Sequence, residues 1–203
     1  SFWQAIAKEF STFKNIYGYG LMNEPHDLTP ETSWFDMAQA SINAIREVDT
    51  NTLIMVGGND WSSAERWIEQ SDTLKYLKDP ANNLAFEAHV YFDKDASGTY
   101  KYSYEEEECY PEKGIDRVKP FVEWIKQNKF HGFIGEYGIP DNDPRWNETL
   151  DLFLGYLQEN GINGTYWAAG PWWDSYFMAI TPKDGKDRPQ MPIIEKYTST
   201  LKK

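Results

Sequence analysis

The chain has 203 residues, enough for one domain with a sizeable core, and carries 32 acidic against 20 basic side chains, a formal charge of −12. That balance argues against nucleic acid or an anionic membrane as partner, since both are held by Lys/Arg patches. The single cysteine, Cys109, allows no intramolecular disulfide and no cysteine-built metal cluster.

In chain order, helical spacing starts at once, with Phe2, Trp3, Ile6 and Phe10 predicting a helix over about residues 2–13. No run of about 18 apolar residues and no leader pattern is found. The expectation is therefore a mature fragment, with any signal peptide upstream. The stretch Ile16-Tyr17-Gly18-Tyr19-Gly20-Leu21-Met22 reads as a buried strand that delivers Asn23 and Glu24, where Pro25 stops it. Thr29 is expected to cap a helix with Pro30 at its first position and Trp34, Ala38, Ile45 and Val48 along one face.

Residues 52–57 predict a second strand, emptying into Gly58-Asn59-Asp60-Trp61, and a weak helical piece is expected over residues 64–69. A third strand over residues 84–91 carries Glu87, His89 and Tyr91 on one face. An aromatic and acidic loop follows over residues 92–111, with Glu105 to Glu108 as its solvated tip. Ile115, Val118, Val122 and Ile125 mark a helix, with Pro120 in its first turn or kinking it. Phe133-Ile134-Gly135-Glu136 is a fourth strand. Asp143-Pro144 opens a helix that Asn160-Gly161 stops. A last strand over residues 164–168 and a closing helix over residues 193–201 complete the order.

Five short apolar strands alternating with helices predict a parallel sheet covered by helices, in one domain over residues 1–203. Asn23, Glu24, Asn59, His89, Tyr91, Glu136 and Trp167 fall at the C-terminal ends of five different strands. Contribution from every strand end favours a closed βα barrel over an open sheet, whose site would gather at one switch point.

Two glutamates at strand ends are the minimal kit for glycoside hydrolysis: one gives a proton to the leaving oxygen, the other attacks or activates water. Identical side chains can divide these roles when their surroundings separate their pKa values. Asn23 can bind a sugar hydroxyl, Tyr91 can donate to Glu136, and His89 can orient or reprotonate the acid. Flat rings suit sugar faces, and nine tryptophans and thirteen tyrosines supply them. Trp61, Trp172 and Trp173 follow strand ends and are candidate platforms, and His26 can line the same cleft. Trp3, Trp34, Trp67, Trp124 and Trp146 lie on helices and are expected to be core.

Asn23-Glu24-Pro25, His89-x-Tyr91, Gly135-Glu136-Tyr137-Gly138 and Trp167, in that order, resemble glycoside hydrolase family 5, retaining enzymes of the (β/α)8 TIM-barrel type. Asn23-Glu24-Pro25-His26-Asp27 and Trp167-Ala168-Ala169-Gly170-Pro171-Trp172-Trp173 resemble its endo-β-1,4-glucanase (cellulase) branch. The resemblance implies Glu24 as acid/base, Glu136 as nucleophile, Asn23, His89 and Tyr91 in support, and Trp167 as the platform at the cleavage site. It also implies a β-glucan polysaccharide or oligosaccharide as substrate, a secreted enzyme, and no metal or other cofactor.

A family member has eight strands, so these five correspond to the fourth through eighth. An N-terminal barrel portion, or a second copy, is expected to complete the fold. The chain alone is expected to be poorly soluble and nearly inactive, because its two outer strands are unpaired edges; full activity from a monodisperse chain of this length would overturn that. Rival readings are a β-mannanase, xyloglucanase or other β-glycanase on the same scaffold. A metal-dependent barrel enzyme using Glu24, Glu136, His89 and Asp60, or a non-catalytic polysaccharide-binding module, are rivals of another class.

Overall fold

A computed structural model describes residues 1–29 and 31–198 of the chain. Helices α1 (Phe2–Phe10), α2 (Trp34–Arg46), α5 (Lys113–Asn128), α6 (Arg145–Glu159) and α7 (Met191–Tyr197) alternate with strands β1 (Gly18–Gly20), β2 (Leu53–Gly57), β3 (Leu84–His89), β4 (His131–Tyr137) and β5 (Asn163–Tyr166). Between β2 and β3 lie the short turns α3 (Asn59–Ser62) and α4 (Trp67–Ser71), the latter followed by a 3-10 turn at Asp72–Tyr76. The strands form one sheet in the order β1-β2-β3-β4-β5, with β1 and β3 both parallel to β2. Strands taken in sequence order with a helix between neighbours are the (β/α)8 TIM-barrel type of fold, here carried by five strands.

Local chemistry sets the boundaries. Ser1 and Gln4 form a reciprocal capping box that opens α1, which ends at Phe10, three residues short of expectation. The expected cap at Thr29 is corrected: Ser33 accepts the Asp36 N–H at 3.3 Å and α2 starts at Trp34, while Thr29 bonds Thr32 instead. Pro30 lies outside the described residues, as do the last three positions of the expected closing helix. The helical piece expected over residues 64–69 is α4, which begins at Trp67. Pro120 sits inside α5, well past its first turn.

Contacts divide the chain into two compact units, with β3, α5 and β4 each contributing to both. The first holds residues 1–88 and 120–133. Its core joins the α2 face of Trp34, Ala38, Ile42 and Ile45 to Ile54 and Val56 of β2 and Phe86 of β3. Trp67 meets Phe121 edge-on at 4.6 Å and Trp124 at 5.5 Å, and Phe86 meets Trp124 at 5.0 Å. Each such pair adds about 0.5–1.5 kcal/mol beyond area burial.

Arg46 is buried in this unit. Its guanidinium forks onto Asp79 at 2.7 and 2.9 Å and donates to the carbonyls of Asp49 and Thr52. Burial opposes ionisation of Asp49, but hydrogen bonds from Thr52, Asn51 and Tyr19 outweigh it and hold its carboxyl at about 2. That carboxylate therefore stabilises the fold above the ordinary carboxylate range, and the contribution is lost as pH falls through about 2.

The second unit holds residues 89–119 and 134–203. Phe153 of α6 packs against Phe92 at 5.2 Å and Tyr137 at 5.3 Å, over a core that includes Ile134, Ile139, Trp146, Leu150 and Leu157. Glu105, Glu106 and Glu108 are exposed at the tip of the acidic loop as expected, but Glu107 is not. Glu107 is buried and accepts the N–H groups of Lys94 and Tyr102, so it folds the loop from inside. Glu105 pairs with Arg145 and Glu108 with Lys94.

Candidate active site

In the second unit the site is built at the ends of β3 and β4. Val90 N–H donates to the Glu136 carbonyl at 3.0 Å, which fixes the level of the two strand ends. Tyr91 then reaches across and its hydroxyl donates to Glu136 Oε2 at 2.8 Å. His89 is buried with Nδ1 3.7 Å from the same oxygen, so His89 and Tyr91 do share a face as their spacing requires. The donated hydrogen bond favours the carboxylate form, and the Glu136 side chain keeps 15% of its surface open to a reactant.

Trp167 follows β5, with its N–H on the Tyr137 carbonyl at 2.8 Å and its indole half-buried. The two candidate platforms beyond it are not equivalent. Trp173 packs edge-on against Trp167 at 4.8 Å, whereas Trp172 is 89% exposed. Tyr176 packs tilted against Trp173 at 5.0 Å. Burial, with the Glu136 charge nearby, pushes its phenol up, so it stays protonated. No motif marks Tyr176; its only signal is an aromatic spaced three residues beyond Trp173 in a turn-rich tail.

In the first unit, Glu24 leaves β1 with a φ of +45°, a left-handed conformation that a glutamate adopts at a cost of about 1–3 kcal/mol. Pro25 beside it is buried, and a Cβ on Gly57 would meet Ser62 Oγ at 2.9 Å and the Met22 carbonyl at 3.1 Å. Only glycine at the end of β2 lets the Glu24 loop lie this close. Asn23 is exposed beside Glu24, and its side chain makes no hydrogen bond among the described residues.

His26 and Trp61 stack face to face at 4.4 Å and 10°, and Trp61 N–H donates to the Pro25 carbonyl at 3.3 Å. Asp60, Trp61 and Ser62 are all left-handed, with φ of 53°, 56° and 55°. The turn presents a flat ring, 42% exposed, tied to the loop that carries Glu24. Asn59 turns away and donates to the Gln70 carbonyl. Asp60, a ligand in the metal-enzyme reading, is engaged by Arg66. No described helix is long and apolar enough to cross a membrane.

Residues 1–172 match the family described as cellulase (glycosyl hydrolase family 5). Endo-beta-1,4-glucanase B of Emericella nidulans is 36% identical over 190 residues, 91% of this chain and 55% of that protein. Among solved structures, Pseudomonas stutzeri endoglucanase Cel5A in complex with cellobiose is 42% identical with a TM-score of 0.90, over 98% of this chain and 59% of that one. The endo-beta-1,4-glucanase Xac0029 from Xanthomonas axonopodis pv. citri is 35% identical with a TM-score of 0.85, over 98% and 65%. The chain thus spans a little over half the length of the curated relatives it matches. With strand order, motif order and match all in agreement, this chain belongs to glycosyl hydrolase family 5, the cellulase family.

Proposed function

We propose that the chain is the C-terminal portion of one catalytic barrel, and that the complete enzyme hydrolyses internal β-1,4-glucosidic bonds of cellulose or a related β-glucan with retention. The observation that carries this reading is the Tyr91 hydroxyl on Glu136 at a strand end, inside a chain of this family. Glu136 attacks the anomeric carbon while Glu24 protonates the departing glycosidic oxygen, and a glycosyl ester forms on Glu136. Water, deprotonated by Glu24, then attacks that ester, which frees Glu136 and returns the proton to Glu24.

His89 and Tyr91 hold the Glu136 carboxylate in place, and Asn23 binds a hydroxyl of the reacting sugar. Trp167 lies under that sugar, braced by Trp173 and Tyr176, while Trp61, flanked by His26, and the open ring of Trp172 carry neighbouring units. Every proton and electron pair is supplied by the two glutamates and water, so the course needs no metal or organic cofactor. The three βα units that precede these five strands in the family barrel, or a second copy of the chain, complete the barrel. A polymer too large to cross a membrane places the enzyme outside the cell.

The test is the time course of anomers released from cellotetraose by the complete enzyme, followed by proton NMR beside a panel of mannan, xylan and xyloglucan oligosaccharides. The β anomer is expected first, with cello-oligosaccharides turned over fastest. An initial α anomer would overturn the double displacement. Faster turnover of mannan or xyloglucan would move the enzyme to the other β-glycanases.

A further inference from the structure

The hydrogen bond from Tyr91 to Glu136 links the loop after β3 to the proposed nucleophile, and a single long side chain does not hold such a geometry unaided. Around Tyr91 the loop of residues 92–100 is built as a brace. Asp93, 1% exposed, accepts Ser97 Oγ, and the N–H groups of Gly98, Thr99 and Tyr100, at 3.0–3.2 Å. This closes a turn containing left-handed residues at Ala96, Gly98 and Tyr100. Gly98 lies so close that a Cβ there would sit 3.0 Å from the Tyr91 ring. From the other side, Arg117 donates to the Tyr91 carbonyl at 2.5 Å.

Tyr100 locks the assembly. Its hydroxyl accepts the N–H of Phe92, the residue after Tyr91, at 2.9 Å, and donates to the carbonyl of Gly138, two residues after Glu136, at 2.6 Å. The ring is wedged edge-on against Trp146 at 5.0 Å and Phe177 at 6.3 Å. Burial, with the Asp93 charge added, raises its phenol well above the ordinary range, so it remains a donor. One hydroxyl therefore clips together the backbones that carry the donor and the acceptor of the Tyr91–Glu136 bond.

We propose that Tyr100 is a positioning residue that sets the Tyr91–Glu136 hydrogen bond by clamping the two strand ends. This rests on Glu136 being the nucleophile. Within this unit Glu136 also has His89 Nδ1 at 3.7 Å and the Tyr176 phenol nearby.

The experiment uses the complete enzyme and an activated 2-deoxy-2-fluoro cellobioside, which esterifies the nucleophile and reports its ionisation through the pH dependence of inactivation. Tyr100→Phe keeps the ring and removes the clip. It is expected to move the acid limb of inactivation up by about half a pH unit or more, in the direction given by Tyr91→Phe, because a carboxylate that loses a donor is harder to ionise. In a Tyr91→Phe background, Tyr100→Phe is expected to add nothing further, as required if it acts through Tyr91.

An acid limb unchanged by Tyr100→Phe, or an equal shift in both backgrounds, would overturn the positioning role. Should Tyr100→Phe fail to fold, Gly98→Ala disturbs the same brace by crowding the Tyr91 ring, and an unmoved limb there counts equally against it. A wild-type enzyme not labelled at Glu136 at all would instead sink the nucleophile assignment.

Discussion

Glu136→Gln in the complete enzyme is expected to lower kcat on cello-oligosaccharides by about 10⁴-fold or more, with KM little changed. The amide has the shape of the carboxylate and can still meet the Tyr91 hydroxyl, but it cannot form the glycosyl ester. Glu24→Gln is expected to behave differently, because an acid matters only in proportion to how poor the leaving group is. On cellobiosides of acidic phenols, which depart without help, Glu24→Gln should still form the intermediate and release phenol in a burst, and then stall for want of a base. Added azide should restore turnover of Glu24→Gln and give the β-glycosyl azide. Azide acting on Glu136→Gln would give the α product, since it replaces the nucleophile itself. The division of roles is wrong if both variants lose the same factor on every leaving group, or if Glu136→Gln keeps a tenth of wild-type activity.

The second large effect lies far from chemistry. Arg46→Met is expected to cost about 3–5 kcal/mol, because it leaves the Asp79 carboxylate buried without its partner. The side chains of Arg46 and Asp79 are 3% and 1% exposed, and Asp79 also accepts the N–H groups of Ala81 and Asn83 that shape the turn before β3. Arg46→Met together with Asp79→Leu should recover much of the loss, since an apolar pair of similar volume removes the stranded charge. Urea unfolding midpoints of the complete enzyme and these variants measure both effects. A single-variant loss below about 1 kcal/mol would show that the pair is hydrated in solution and not buried as seen here.

The candidate residues around Glu136 were legible because each sits in a short local string whose spacing fixes a face. His89 and Tyr91 are two apart on a strand, so both had to meet the same carboxylate, and they do. The alternation of strands with helices was legible for a similar reason, since apolar runs and breakers are local. What escaped the sequence was decided between distant segments. Thr29-Pro30 is as good a helix start as Ser33 in isolation; tertiary packing of Trp34, whose Nε1 donates to the Gly57 carbonyl at 2.7 Å, favours the later one. Glu107 looks like its three acidic neighbours until the loop closes over it. Trp172 and Trp173 are indistinguishable by type, and only the fold of the tail puts one against Trp167 and the other in solvent. Tyr100 carried a faint mark, an aspartate followed at short range by Ser97-Gly98-Thr99, the spacing of a side chain that caps a turn.

The left-handed run through residues 60–62 also limits substitution. Branching at Cβ clashes with that backbone twist, so Val, Ile and Thr are poor replacements for Trp61, whereas Asn, His or another ring is accommodated more readily. Exchange of Trp61 is therefore expected to be tolerated for only a narrow palette of residues, with the branched ones straining the turn.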